Sequence, residues 1–220
     1  MKRAYRQYCA VAKALDVVGE RWTLLIVREL VLGPRRYTDL LAGLPGLATN
    51  LLADRLREMD ASGLVTRRTL PPPAASTVYE LTELGRGLQP MLLELGRWGA
   101  ALLGAPGGDD AMRPGWYVVS MLATFRAEAA EGVDAVYELR VDGERFRVRV
   151  RDGEATIGDS DAGRSATVIA CDLPAFLELL SGDLSPVAAL QSGRVEVDGD
   201  RDELVRFHAM FGWPAAQAVL

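Results

Sequence analysis

Apolar and polar residues recur with a helical period around positions 38–62, and this stretch predicts two short helices. Thr38 is expected to cap the first helix, with Asp39 in its first turn, where the helix dipole favours an anion. Three leucines between positions 40 and 44 form its apolar side, and the pair Pro45-Gly46 ends it. The segment is therefore predicted to be a short helix followed by a tight turn.

A second helix is predicted to begin at Thr49, which is expected to cap it, and to close before Gly63, a residue suited to the position after a helix end. Leu52, Leu56 and Met59 recur at i, i+4 and i+7 and so share one face. The opposite face is polar. Two short helices joined by a Pro-Gly turn, the second with a polar outward face, have the spacing of a helix-turn-helix.

The next residues predict a β-hairpin. Leu64 to Leu70 is β-prone and carries Arg67 and Arg68, and Thr77 to Leu81 alternates apolar with polar residues. Pro71 to Ser76 fits neither a helix nor a strand ladder, so it is predicted to be the hairpin tip. A helix-turn-helix followed by a basic hairpin is a winged helix. The alternative is a small helical core with a solvated hairpin.

A long helix is predicted after the hairpin, capped by Thr82 and running to about Leu103, with Pro90 expected to kink it. Its apolar residues repeat at steps of four and three, the pattern of a helix that packs lengthwise on another helix. Packing within one chain is one interpretation. We favour a homodimer seam, because winged helices commonly bind two half-sites. The predicted dimer interface comprises Leu84, Leu88, Met91, Leu95 and Trp98.

The pattern changes beyond a Gly- and Pro-rich segment, residues 104–111, which is predicted to be a linker. The residues beyond this linker predict an α+β domain that starts with a helix from Trp116 to Ala130. In one strand four arginines alternate with apolar residues, so one sheet face is expected to be buried and the other solvated. Strands are expected at 135–142, 145–152, 154–159, 166–171 and 195–197, and further helices at 174–180 and 202–211.

Composition changes this picture chiefly through the division of charge. The 220 residues have a net charge of −5, but residues 1–108 hold 14 Lys and Arg against 10 Asp and Glu, whereas residues 109–220 hold 11 against 20. A basic front half bearing a DNA-reading motif and an acidic back half indicate a division of labour. No apolar run approaches the ~20 residues of a membrane span. Cys9 and Cys171 lack metal-ligand spacing, so we expect a cytoplasmic protein without a metal or a disulfide scaffold.

Four runs of residues carry a resemblance to a known family: R-W-T-L-L-I-V-R-E-L, G-P-R-R-Y-T-D-L, T-N-L-L-A-D-R-L-R-E-M and S-T-V-Y-E-L-T. In this order they resemble the HxlR-type winged helix-turn-helix transcriptional regulators, over roughly Tyr8 to Leu103. The resemblance implies a homodimeric bacterial regulator. Its recognition helix would enter the major groove of double-stranded DNA, and its wing would touch the backbone or the minor groove.

The DNA-facing residues can be placed on these predicted elements. Thr49, Asn50 and Arg57 lie opposite the apolar stripe and are predicted to face the major groove. Arg55, nearer the edge of the stripe, is predicted to reach phosphate. The full set of candidate DNA-binding residues is Arg36, Thr38, Thr49, Asn50, Ala53, Arg55, Arg57, Arg67 and Arg68.

Cys9 stands at the predicted start of the first helix, with Arg6 before it and Lys13 one turn on. These positive groups and the helix N-terminus favour the thiolate. The HxlR resemblance implies the same role, because several members sense electrophiles or oxidants through an N-terminal cysteine that matches Cys9. Here Ala10 stands where those members usually have proline. A buried, unreactive cysteine is the alternative.

The back half resembles the SCP2 sterol-carrier-type fold over Met112 to Pro214. The resemblance is strongest in the run L-P-A-F-L-E-L-L-S-G-D-L-S-P-V-A-A-L-Q-S-G-R-V-E-V-D-G-D-R-D-E-L-V-R-F. It implies a curved sheet with helices over one face and an apolar cavity for a lipid-like molecule. Every cavity candidate is equally a candidate for plain core. These candidates are Phe125, Phe176, Leu180, Phe207 and Phe211.

The sequence therefore predicts an α+β protein with a winged helix-turn-helix domain, residues 1–103, and an SCP2-like domain, residues 112–220. We expect a homodimeric DNA-binding transcriptional regulator with no cofactor. Its candidate modulators are a small apolar ligand in the C-terminal domain and oxidation of Cys9. The alternative is a lipid-carrier-like protein whose winged helix serves association. The sequence shows no paired carboxylates, nucleophile elbow, phosphate loop or metal cluster, so no enzymatic activity is expected.

Overall fold

The computed structural model describes residues 4–72, 75–103, 107–158 and 166–213. The chain forms two compact units that divide between Leu92 and Leu93. Some of the predicted segments lie outside the described residues: Pro73 and Ala74 of the hairpin tip, residues 104–106 of the linker, and Asp159 at the end of a strand. Within the described ranges, no helix is both long enough and apolar enough to cross a bilayer.

The first unit is a set of short helices with a three-stranded antiparallel sheet, and it confirms the predicted helix-turn-helix and hairpin. The strand order is β1-β3-β2. A buried stripe of Leu52, Leu56 and Met59 packs the second helix of the motif into the core. The elements are α1 (Ala10–Val18), α2 (Thr23–Val31), β1 (Arg35–Arg36), α3 (Tyr37–Gly43), α4 (Thr49–Ala61), β2 (Val65–Thr69), β3 (Thr77–Leu81), α5 (Glu83–Arg86) and α6 (Gln89–Ala100), which crosses the division.

Two predicted helix caps are wrong by one or two residues. Arg36, not Thr38, is the N-cap of α3, because Asp39 accepts a hydrogen bond from the Arg36 backbone N–H at 3.2 Å and so satisfies the amide at the helix start. Ala48, not Thr49, is the N-cap of α4. Its carbonyl already accepts the first helical hydrogen bond at 3.0 Å, which places Thr49 in the first turn.

The single long helix predicted from Thr82 to Leu103 is also wrong, because α5 and α6 replace it. In a continuous helix the ring of Pro90 would clash with the carbonyl of Arg86, four residues earlier. Ending α5 at Arg86 and starting α6 just before the proline puts Pro90 in a first turn, where no amide hydrogen is needed. The predicted N-cap, Thr82, is confirmed, because its hydroxyl accepts a hydrogen bond from the Gly85 N–H at 3.1 Å.

The second unit is a five-stranded mixed sheet with helices, in the strand order β6-β5-β4-β7-β8. Only the β4–β7 pair is parallel among these strands. The inward residues of the two central hairpin strands, among them Tyr137, Leu139 and Val148, are buried. The elements are α7 (Pro114–Ala123), a 3-10 turn (Ala127–Ala130), β4 (Asp134–Val141), β5 (Glu144–Arg151), β6 (Glu154–Ile157), β7 (Thr167–Cys171), α8 (Leu173–Ser181), α9 (Pro186–Ser192), β8 (Val195–Asp198) and α10 (Asp202–Phe211).

The helix predicted from Trp116 to Ala130 ends early, at Ala123. Beyond it Arg126 turns toward the end of α10, where its guanidinium donates to the carbonyls of His208 at 2.9 Å and Gly212 at 2.6 Å. The last carbonyls of a helix have no intrahelical partner, so this arginine caps α10. A long-range bond of this kind leaves no periodic signal in the sequence.

The arginine face of β5 is not uniformly solvated, contrary to the prediction. Arg149 is only 8% exposed. Its guanidinium forms an ion pair with Asp134, which lies at the start of the neighbouring strand β4. Burial of a charged group is tolerated where an opposite charge is paired with it, so the acidic residue allows this part of the face to be covered.

Candidate nucleic-acid interface

The exposed face of α4, which we call the recognition helix, carries the predicted reading residues. Thr49, Asn50 and Arg57 are exposed, and Ala53 is half-buried between them. The opposite face is the buried leucine and methionine stripe, which fixes the rotation of the helix about its axis. The structure therefore brings these four side chains to one outward surface, as the 3.6-residue period predicts.

The two arginines of the recognition helix have different surroundings. Arg55 is half-buried, with Nη1 2.7 Å from the Glu58 carboxylate and 3.7 Å from that of Glu20, which lies between α1 and α2. Arg57 is exposed and pairs with Asp54 at 2.9 Å. An exposed pair of this kind contributes little, so Arg57 can exchange its partner for a base or a phosphate. Arg55 is held back by two carboxylates, which disfavours the phosphate contact predicted for it.

The wing, formed by β2 and β3, separates its two adjacent arginines. Arg68 donates to both carboxylate oxygens of Glu80 at 3.1 Å, and this hydrogen-bonded pair raises the pKa of the guanidinium. Arg67 is exposed, and among the described residues it has no ion-pair partner. The wing therefore offers one unneutralised cation, Arg67, and one that is already paired.

A further arginine joins this surface and was missed from the sequence. The register places Arg35 of β1 opposite Tyr79 of β3, and Tyr79 opposite Arg67 of β2. Residues directly opposite each other in an antiparallel sheet share a face, so two arginines flank one tyrosine in a single row. Strand β1 has only two residues, too few for an alternating pattern. The predicted candidates Arg36 and Thr38 are both exposed at the start of α3.

Cys9 is the exposed N-cap residue of α1, as the sequence predicted. The neighbouring cation Lys13 shares its charge with Asp16, 3.9 Å away. Cys171 is a contrasting case at the end of β7. Burial, with smaller contributions from Asp172 and Asp142, raises the pKa of Cys171 to about 12 and keeps it a thiol.

Four residues of the predicted dimer seam are exposed, Leu84 on α5 and Met91, Leu95 and Trp98 on α6, whereas Leu88 lies between the two helices and is half-buried. Leu84 and Trp98 are 64% and 66% exposed, and no residue of α6 is buried. A second apolar stripe, missed from the sequence, lies on α1, where Val11 and Leu15 stand one turn apart and Val11 is 67% exposed. Their i, i+4 spacing was a signal that could have revealed this stripe.

The predicted cavity residues of the second unit pack against one another. Phe176, Leu180, Phe207 and Phe211 are fully buried, and Phe125 is half-buried. The ring centroids of Phe207 and Phe211 are 4.8 Å apart, and those of Phe125 and Phe211 are 5.2 Å apart. A pocket of about 410 Å³ lies elsewhere, and none of the five candidates lines it. It is lined by Ala127, Glu128, Glu131, Gly132, Val133, Asp134, Asp152 and Gly153.

Comparison with known proteins matches each part of the chain to a family. Residues 17–105 match the family described as HxlR-like helix-turn-helix, and residues 121–212 match the SCP-2 sterol transfer family. The second match accords with the mixed sheet and helices of the second unit.

Relatives and a solved structure align with the front part. The uncharacterized HTH-type transcriptional regulator YvaP of Bacillus subtilis (strain 168) is 37% identical over 86 residues, 39% of this chain and 80% of its own length. The HTH-type transcriptional regulator YodB of the same organism is 34% identical over 85 residues, 39% of this chain and 76% of its own length. The reduced form of the redox regulator HypR aligns at 30% identity over 42% of this chain and 92% of its own, with a TM-score of 0.40. On the family matches and the identity to YvaP, the chain belongs to the HxlR-like helix-turn-helix family of transcriptional regulators and carries an SCP-2 sterol transfer domain after the winged helix.

Proposed function

We propose that this regulator binds an operator as a homodimer, with the recognition helix in the major groove and the wing on the phosphate backbone. The observation that carries the proposal is the exposed row Thr49, Asn50 and Arg57 on a helix whose opposite face is buried. An amide such as that of Asn50 can bond adenine through two atoms, and a guanidinium can bond guanine in the same way. Arg67 supplies the phosphate contact, because its charge is not neutralised within the wing.

Asn50→Ala is expected to cost ~1–3 kcal/mol on the operator and to relax specificity at one base position, because a bidentate contact to a base edge is lost. The operator would first be recovered by genome-wide capture of bound DNA. Fluorescence anisotropy then measures affinity for that duplex and for a random duplex of equal length. Random-duplex affinity is expected to stay at the wild-type value.

Three control variants make this result interpretable. Asp60→Ala removes an exposed polar group at the far end of the same helix and should change neither affinity. Arg67→Ala should weaken binding to both duplexes and lower the salt slope by about one, whereas Arg68→Ala should do so less, because Glu80 already neutralises Arg68. If Asn50→Ala lost affinity equally for both duplexes, Asn50 would have no role in contacting a specific base.

The homodimer is supported by the exposed stripes of α1, α5 and α6. Met91, Leu95 and Trp98 are exposed at helical spacing along α6, and such a row of large apolar side chains is unusual on the surface of a monomer. A homodimer would cover the exposed stripe. Bound to two half-sites, it would also contact more bases than one recognition helix can reach. We assign the seam to Leu84, Leu88, Met91, Leu95 and Trp98.

Cys9 is proposed as an oxidant sensor. Diamide or a quinone should lower operator affinity of the wild type about tenfold and leave Cys9→Ser bound, because an exposed thiol at a helix N-terminus is accessible to either reagent. Cys171→Ala is the matched control and should respond like the wild type, since Cys171 stays protonated. Release of DNA from Cys9→Ser by the same oxidants would refute the sensor role.

Modulation by an apolar ligand in the second unit is supported by the SCP-2 match. If the rings around Phe207 open to admit a lipid, the purified full-length protein should carry an apolar molecule in native mass spectrometry and take up a fluorescent fatty acid. Phe207→Trp should block uptake, whereas Val205→Trp on the exposed side of the same helix should not. A tenfold effect of the ligand on operator affinity needs ~1.4 kcal/mol of coupling. Wild-type protein that carries nothing and takes up nothing would end this proposal.

The competing lipid-carrier interpretation makes a different prediction for DNA. A carrier whose winged helix serves association should show no preference for one duplex and no steep dependence on salt. Operator selection and the salt slope therefore distinguish the two functions in the same experiment.

A further inference from the structure

The side chain of Tyr37 is bonded to the backbone at the first residue of the recognition helix. Tyr37 opens α3, the first helix of the motif, and is half-buried. Its hydroxyl donates to the carbonyl oxygen of Thr49 at 2.5 Å. The bond crosses the turn between the two helices and ties the start of one to the start of the other.

The Thr49 carbonyl does not need this bond to be satisfied. In an α-helix the carbonyl of the first residue accepts from the amide four residues on, which here is Ala53. Tyr37 therefore uses a second lone pair of an oxygen that is already bonded. The aromatic ring packs with or without the hydroxyl. The hydrogen bond from the hydroxyl additionally fixes the position of the first turn of the recognition helix.

Exposed residues that are proposed to contact base edges lie in that first turn. Thr49 and Asn50 lie in it, both exposed. Hydrogen bonds to base edges are lost when the donor is displaced, whereas contacts from long side chains to phosphate adapt to small movements. The middle of the helix is held separately by the ion pair between Arg55 and Glu20. Loss of the Tyr37 hydroxyl would therefore loosen the reading end and leave the rest in place.

We infer that Tyr37 is a positioning residue for base reading, which acts through the Thr49 carbonyl and touches no base itself. The inference rests on the proposed function of the recognition helix. It predicts that removing one oxygen atom separates operator recognition from general DNA affinity, because the ring, the fold and the phosphate contacts are all retained.

The test is Tyr37→Phe in the full-length protein, with Tyr117→Phe as the matched control, at a half-buried tyrosine in α7 of the second unit. Operator affinity should fall by about three- to tenfold, the effect of one hydrogen bond. Random-duplex affinity, the salt slope and the midpoint of thermal unfolding should match the wild type. In the free protein, hydrogen exchange of the Ala53 amide should be faster in Tyr37→Phe than in the wild type or in Tyr117→Phe.

Three results would overturn the inference, and they are distinguishable. Unchanged operator preference and unchanged Ala53 exchange would show that the hydroxyl fixes nothing. Parallel losses on operator and random duplex with a lower unfolding midpoint would make Tyr37 a stability residue only. Wild-type protein that prefers no duplex would overturn the proposed function itself, and with it any role of Tyr37 in base reading.

Discussion

Replacing Leu88 and Leu95 together with lysine is expected to convert the homodimer to a folded or partly folded monomer and to lower operator affinity about 100-fold or more. Burying a leucine side chain contributes about 1.5–3 kcal/mol, so the double variant loses this contribution twice and places two charges in an apolar seam. A monomer also loses the gain that comes from holding two half-sites at once. Sedimentation velocity gives the oligomeric state, and anisotropy gives the affinity.

Gly96→Lys is a suitable control for the added charge. Gly96 lies on α6 next to Leu95, and a side chain there meets no atom within 4 Å. This variant should remain dimeric and bind the operator normally. A double variant that still sediments as a dimer would move the interface elsewhere, most simply to the C-terminal domain beyond the linker.

Gly85→Ala is expected to destabilise the winged-helix unit by about 3 kcal/mol, measured by urea denaturation. A Cβ atom at this position would stand 2.0 Å from the carbonyl oxygen of Leu64 and 3.1 Å from a methyl group of Leu81. The Leu64 carbonyl cannot retreat easily, because it accepts the Thr82 N–H at 3.0 Å. The clash therefore exceeds the ~1 kcal/mol that alanine gains over glycine inside a helix.

Gly96→Ala tests the opposite case with the same chemical change. Position 96 is also helical, but it is open, so the substitution should stabilise the protein by up to about 1 kcal/mol. If both alanine variants unfolded at the wild-type urea concentration, the close approach of α5 to Leu64, the residue before the wing, would have no energetic consequence.

Local periodicity explains what could be predicted from the sequence. The stripe Leu52, Leu56 and Met59 predicts the rotation of the recognition helix, because a helix of this length needs one buried face, whereas its predicted N-cap is wrong by one residue. Alternation gave β3 within its observed bounds. Pro90 was recognised as a disturbance, but whether a proline kinks a helix or begins a new one depends on the residues before it.

Contacts between distant residues could not be predicted in this way. The bond from Tyr37 to Thr49 spans a turn, and the pairing of Arg35, Tyr79 and Arg67 requires the register of three strands. Of the partners of Arg55, Glu58 has the i, i+3 spacing that a sequence shows, whereas Glu20 lies outside the helix and could not be predicted. In the second unit, the acidic pocket is built from loops that no hydrophobic pattern marks.

The two cysteines differ in burial, so a thiol reagent is expected to modify only one of them in the unmutated protein. Maleimide reagents attack thiolates, so near neutral pH they should modify exposed Cys9 and spare Cys171, whose pKa of about 12 leaves it almost entirely protonated. A fluorophore or spin label could then be attached at the start of α1 without engineering any residue. In a homodimer the two labels would report one intermolecular distance, which energy transfer or electron paramagnetic resonance can measure in the DNA-free protein.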